Sequence, residues 1–139
     1  MSYTDTFIQV AADCPVTRSV VPVAKGEGKP IHVIQYELLA AHPYQYNHEE
    51  LLFEVHVRHK AIPQAELDAQ RAELWHALFQ KNHPCLRASL LPKKYGWGAH
   101  YDQAGKIAIY AMESAEYQSF SQPAGDTPKQ LMAMRNKRG

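Results

Sequence analysis

The sequence predicts an α+β fold. The expectation is a single domain with an antiparallel or mixed β-sheet of about five strands and three to four helices packed mainly on one face. Three observations lead there. Runs alternating apolar and polar residues occur near Thr6, Leu51 and Trp97. Two segments led by Pro30 and Pro63 carry apolar residues at three- and four-residue spacing. Along the chain the elements read β-α-β-α-β-β-β-α-α, an order that implies an antiparallel or mixed sheet rather than a regular parallel one.

Residues Thr6 to Ala12 alternate, with Ile8, Val10 and Ala12 on one side and Phe7, Gln9 and Ala11 on the other, as a strand requires. A loop rich in Pro and Gly follows over residues 13–29, longer than a compact domain usually carries without function or mobility. Pro30 suits the first position of a helix, where its missing N–H has no partner to lose. Ile31, Ile34, Leu38 and Ala41 then recur at helical spacing until Pro43. In "LLFEVHVRHK", Leu51, Phe53, Val55 and Val57 face one way, and Leu52, Glu54, His56 and Arg58 the other. This is the clearest strand pattern in the chain. Pro63 opens a second helix through Leu67, Arg71, Leu74 and Leu78, with Trp75 alongside, ended by "NHP". "CLRASLL" reads as a strand. "YGWGAHYDQAGKIAIYAM" reads as a hairpin whose "DQAG" turn has Asp102 first and Gly105 last. Ser114 caps a short helix bearing Tyr117 and Phe120, and Thr127, Pro128 and Gln130 form a capping-box signature for a C-terminal helix over about residues 127–138.

A chain of 139 residues fits one domain and buries roughly two-thirds of its unfolded surface. With 45% hydrophobic and 21% charged residues it has an ordinary globular composition. Its apolar runs, such as "VVPVA", are far short of the roughly 20 residues of a membrane span. The N-terminus lacks a basic segment followed by an apolar core, so the expected location is cytoplasmic and no membrane partner is expected. Two distant cysteines, Cys14 and Cys85, read as reduced thiols. The net charge of +1 hides an asymmetry. Seven acids face three bases between Glu37 and Glu73, whereas five bases face one acid between Lys81 and Lys106, and the tail adds Lys129, Arg135, Lys137 and Arg138. Gathered on one face, those basic residues would attract anions; scattered, they are a solvated surface.

The densest candidate site is "PKKYGWGAHYD", Pro92 to Asp102. On a strand Tyr95, Trp97, Ala99 and Tyr101 project to one side, and Lys94, Gly96, Gly98 and His100 to the other. One reading is a glycine floor walled by Lys94 and His100, suited to a small anionic or planar ligand. The other is a helix packed close over the glycines while the aromatics complete the core. Strand glycines mark packing more often than ligands, which favours the second reading but leaves Lys94 and His100 unexplained. The candidate binding residues are Arg87, Lys94, Trp97, His100 and Tyr110.

Other motifs are weaker. "KGEGKP" precedes a helix but lacks the spacing of a phosphate-binding loop. The eight histidines include no metal-binding pair at helical spacing, and His56 and His59, three apart on a strand, would point to opposite faces. Cys85, flanked by His83 and Arg87, is the better of the two candidate thiol nucleophiles. Arg87, Lys93, Lys94, Trp97, Tyr101 and the tail "MRNKRG" hold the ingredients of a nucleic-acid surface, but a sequence pI near 7.8 is low for a dedicated binder. No catalytic set, cofactor or metal site is assigned.

Four blocks carry a resemblance over nearly the whole chain: "TFIQVAADCPVT", "IQYELLAAHPYQY" with "LLF", "PCLRASLLPKKYGWGAHYDQAGKIAIYAMES" and "MAMRNKRG". Together they are similar to the bacterial family catalogued as domain of unknown function 6157. The resemblance implies a small stand-alone bacterial protein and brings no activity, ligand or residue role. The leading functional expectation is a small-molecule or anion-binding domain using the 87–101 region. The alternatives are a nucleic-acid or protein adaptor through the basic C-terminal half, and an enzyme using Cys85 or a histidine as nucleophile or base.

Overall fold

The computed structural model describes residues 3–122, 125 and 127–137. Its framework is strand β1, Thr6–Gln9, whose Phe7 and Ile8 are both fully buried on opposite faces. Burial of each such side chain contributes roughly 1.5–3 kcal/mol, so a strand of this kind belongs in the middle of a sheet. It pairs antiparallel with β2, Trp97–Tyr101, which pairs antiparallel with β3, Ile107–Ala111. On its other side it pairs in parallel with β4, Lys129–Met132, giving a four-stranded mixed sheet in the order β3-β2-β1-β4. The hairpin expected around Asp102 is present. The Asp102 carboxylate accepts from the N–H groups of Ala104 and Lys106, and the Gly105 N–H donates to the Asp102 carbonyl.

Three local expectations are corrected. Residues 51–58 are not a strand but the middle of α2, His48–His59, which follows α1, Ile31–Ala41. Asn47 caps it: its side chain accepts from Glu50 N, while Glu50 Oε1 accepts from Asn47 N. The misleading alternation arises because α2 is buried on two opposite sides. Leu51 and Val55, one turn apart, join a core cluster with Ile34, Leu38 and Leu39 of α1 and with Ile8 and Ala99 of the sheet. Phe53, about 200° round the helix from Leu51, packs at 5.1 Å on Trp75 of α3, Gln64–Leu78. A helix apolar on two faces and a strand apolar on one write the same short pattern.

"CLRASLL" is likewise not a strand. It forms a 3-10 turn, Leu86–Ala88, and then α4, Leu90–Lys94, because Ser89 turns the chain by accepting from Leu91 N. Pro92 lies in the first turn of α4, where it is tolerated. The third correction concerns the C-terminus, where β4 replaces the helix expected over 127–138, residue 138 lying outside the described residues. The open edge of β1 offers a ladder that outweighs local capping preference, and the Gln130 side chain donates to Phe120 O and accepts from Gln9. Pro30 and Pro63 stand one position earlier than expected, as the N-caps of α1 and α3.

α1 and α2, together with Leu86 of the 3-10 turn, cover the sheet face that carries Ile8, Ala99, Tyr101 and Ile107. A single helix, α5 (Ala115–Ser121), capped by Ser114 as expected, covers the other face. Its Tyr117 and Phe120 pack on Phe7 at ring distances of 5.1 and 5.4 Å. The long 13–29 loop is tied down at its middle. Ser19 donates through N and Oγ to the Glu113 carboxylate, and Val20 exchanges hydrogen bonds with Tyr95 O and the Trp97 indole. No described helix is long and apolar enough to cross a membrane.

Two stability predictions follow from this packing. A Cβ on Gly98 would lie 2.6 Å from Tyr117 Cε2 and 2.8 Å from Phe7 Cζ, so Gly98→Ala is expected to cost about 1–3 kcal/mol in urea unfolding. Fully buried Tyr101 has no well-aligned hydrogen-bond partner for its hydroxyl. Tyr101→Phe is therefore expected to leave the urea midpoint unchanged or to raise it by up to about 1 kcal/mol equivalent, and a marked loss would contradict this account.

Candidate functional site

The five residues nominated from the sequence divide among separate places. His100 and Tyr110 meet on the α5 face of the sheet. There the Tyr44 hydroxyl bridges His100 Nδ1 at 2.7 Å and the Tyr110 hydroxyl at 2.9 Å, and Phe120 stacks on the imidazole at 4.1 Å. Tyr44 was not nominated. It follows Pro43 in a left-handed conformation, φ 59°, which is costly for a tyrosine and held by its N–H bond to Ile107 O. Trp97 lies on the opposite face, 5.1 Å from Tyr36. Lys94 is exposed at the end of α4, and Arg87 donates through Nε to Met132 O beside β4.

The glycine floor is filled from both sides. Tyr117 of α5 and Phe7 occupy the space above Gly98, and the 13–29 loop crosses at Gly96, where a Cβ would lie 3.0 Å from Ser19 Cα. Both glycines mark close chain approach. The basic C-terminal segment runs beside Arg87 and Lys93 through the bonds Met134 N to Arg87 O and Asn136 Nδ2 to Lys93 O. An acid stands within it, since Asp13 accepts from the backbone N–H groups of Asn136 and Lys137.

A roomier concavity lies elsewhere. A cavity of about 420 Å³ opens between α1, α2, the end of α3 and the 83–90 segment. Leu52, Val55, His56 and His59 reach it at i, i+3, i+4 and i+7 of α2, so the helix puts on one face the two histidines that a strand would have separated. Ile31, His32 and Gln35 of α1 form the facing wall. His83, Cys85, Ala88, Ser89 and Leu90 close it, and Lys60 stands exposed at the mouth. Ser89 Oγ donates to Gln35 Oε1 at 2.7 Å, joining two walls.

The side chains here have definite electrostatic character. His83 Nε2 lies 2.7 Å from Leu78 O, which only accepts, so this nitrogen carries a proton. Burial lowers the pKa of His56, and the nearby positive charges of Lys60, His83 and His59 lower it further. Burial lowers His32 as well. The Cys85 thiol meets the Tyr3 hydroxyl at 3.4 Å, and no histidine hydrogen-bonds to it among the described residues. The pairing a thiol nucleophile requires is thus not formed. No group of three or more His, Cys, Asp or Glu among the described residues is arranged to hold a metal ion.

A family model described as a family of unknown function, DUF6157, matches residues 1–139, the whole chain. The chain belongs to this family. No curated protein matches it, and no solved structure does. Membership in DUF6157 brings no ligand or residue role, so the chemistry of the cavity rests on its own geometry.

Histidines at least partly removed from water make a prediction for pH. His32, His48, His56 and His100 all have pKa values lowered chiefly by burial. The unfolded chain therefore binds more protons than the native one below the ordinary histidine value of about 6.5, so their contribution to stability is complete above it and lost as pH falls. The carboxylates with lowered pKa values, Asp13, Glu50 and Glu113, act in a separate, more acidic window below the ordinary carboxylate range. The urea midpoint is expected to fall between pH 7 and pH 5, and less steeply in His56→Gln. A midpoint flat over that range would overturn the assignment.

Proposed function

We propose that this protein binds a small molecule in the cavity between α1, α2 and the 83–90 segment. The observation that carries the reading is the cavity's shape and lining. About 420 Å³ is within the usual range for sites that take a drug-sized ligand. Its walls are largely apolar, from Ile31, Leu52, Val55, Leu78 and Leu90, with a few polar groups to set orientation. Apolar walls bind by removing ligand surface from water, at about 25 cal/mol per Å² before the cost of immobilising the ligand. The proposal moves the ligand away from the Lys94–His100 face, where Phe7 and Tyr117 fill the space above Gly98. Of the earlier 87–101 region only Ala88, Ser89 and Leu90 line the cavity.

The test is fluorescence titration with N-phenyl-1-naphthylamine, an uncharged apolar probe that brightens on leaving water. Saturable one-to-one binding is expected. Ala88→Trp fills the cavity from the 3-10 turn and should weaken binding by about tenfold or more, equivalent to at least ~1.4 kcal/mol. Ile31→Trp, at an exposed position on the rim, should act in the same direction with unchanged circular dichroism. Binding that is absent, or unaffected by both variants, would refute the proposal.

A further inference from the structure

The cavity lining carries basic side chains and no carboxylate. Its titratable nitrogen groups are His32, His56, His59, Lys60 and His83, and no Asp or Glu lines it. We infer that the natural ligand is an amphipathic anion, an apolar body carrying a sulfonate, phosphate or carboxylate. We further infer that its charged end binds among these side chains with uptake of protons by the histidines. The inference rests on the small-molecule reading above and adds the ligand's charge and a proton coupling.

The argument starts with His56. On its own helix it faces His59 and Lys60, a turn or less away, and from the 83–90 segment it faces His83. His32 stands on the α1 wall; α3 contributes only Leu78, and Cys85, Ala88, Ser89 and Leu90 bring no carboxylate. Glu49 lines a smaller hollow that shares Leu52 and His83 with the cavity, together with Lys81 and His48. Protonation of His56 is therefore opposed by its desolvation and by Lys60, His83 and His59. An anion reverses that environment. It supplies the opposite charge in a cavity lined by several protonatable nitrogens, so protonation and binding favour each other. His83 is fixed beside them, its Nε2–H held by Leu78 O. Linkage makes the coupling reciprocal: if the ligand raises histidine pKa values, lowering the pH tightens the ligand. The limit is about tenfold in affinity per pH unit for each proton taken up.

The experiment compares two probes that share one aromatic body. The anion 8-anilino-1-naphthalenesulfonate stays ionised throughout the range, and N-phenyl-1-naphthylamine lacks the sulfonate. Both are titrated against the intact chain at pH 8 and at pH 5.5, with circular dichroism confirming the native fold at each. The expected result is an anion dissociation constant at least about tenfold lower at pH 5.5, corresponding to net uptake of at least about half a proton. The uncharged probe should change by less than about twofold. His56→Gln/His59→Gln, two substitutions that remove titration and keep a polar side chain, should reduce the anion's pH dependence. Calorimetry at one pH in phosphate and in Tris should give binding enthalpies that differ in the direction of proton uptake.

The inference is overturned if the anion binds equally at both pH values, if both probes tighten together, or if the double variant keeps the full slope. A different result, neither probe weakened by Ala88→Trp, would defeat the small-molecule reading on which it rests.

Discussion

α2 is held between two partners, and most of what is distinctive here depends on that. Leu51 and Val55 lock its inner side to α1 and the sheet, while Phe53 lodges against Trp75 on α3, with the Arg71 guanidinium 5.3 Å above the Phe53 ring. With both flanks occupied, the helix has little freedom to rotate, and the stripe of Leu52, His56 and His59 is left facing the gap beside α1. The same anchoring runs to the hairpin, because Glu50 at the N-terminus of α2 accepts from Asn47 and pairs with Lys106 at 2.9 Å. Those hydrogen bonds, the Asn47 N–H first, hold the Glu50 carboxyl below its ordinary value.

The sheet imposes a second constraint. β1 is short and central, so both its faces must be covered and both its edges paired. α1 and α2 supply one cover and α5 the other, and the closeness of α5 is what Gly98 permits. The edge is closed by β4, which arrives more than 115 residues after β1 and lies parallel to it. This arrangement draws the C-terminal segment over the 3-10 turn, where Met134 N donates to Arg87 O, and so braces one wall of the cavity.

Polar groups follow a consistent division. On the α5 side of the sheet, His100, Tyr44 and Tyr110 satisfy one another under Phe120, a closed arrangement in which burial disfavours charge on both His100 and Tyr44. In the cavity, His32, His56 and His59 make no comparable ring of partners among the described residues. That difference, rather than the number of histidines, separates the structural cluster from the proposed binding surface.

The sequence by itself determined the α+β class, the two proline-led helices, the 97–111 hairpin and the Ser114 cap, because each rests on local chemistry: periodicity, a turn residue, a capping hydroxyl. It also made His83 and Cys85 visible as neighbours, though not the cavity they border. Only the tertiary structure decided α2, since its alternating residues fit a helix buried on two sides as well as a strand buried on one, with the Asn47–Glu50 capping pair the one local signal against the strand. Only the tertiary structure decided β4 as well, because the free edge of β1 is invisible to a capping signature at Thr127. The convergence of His32, His56, His59 and His83 was hidden for the same reason. Their spacing means one thing on a strand and another on a helix, and the choice between them was made by residues more than ten positions away.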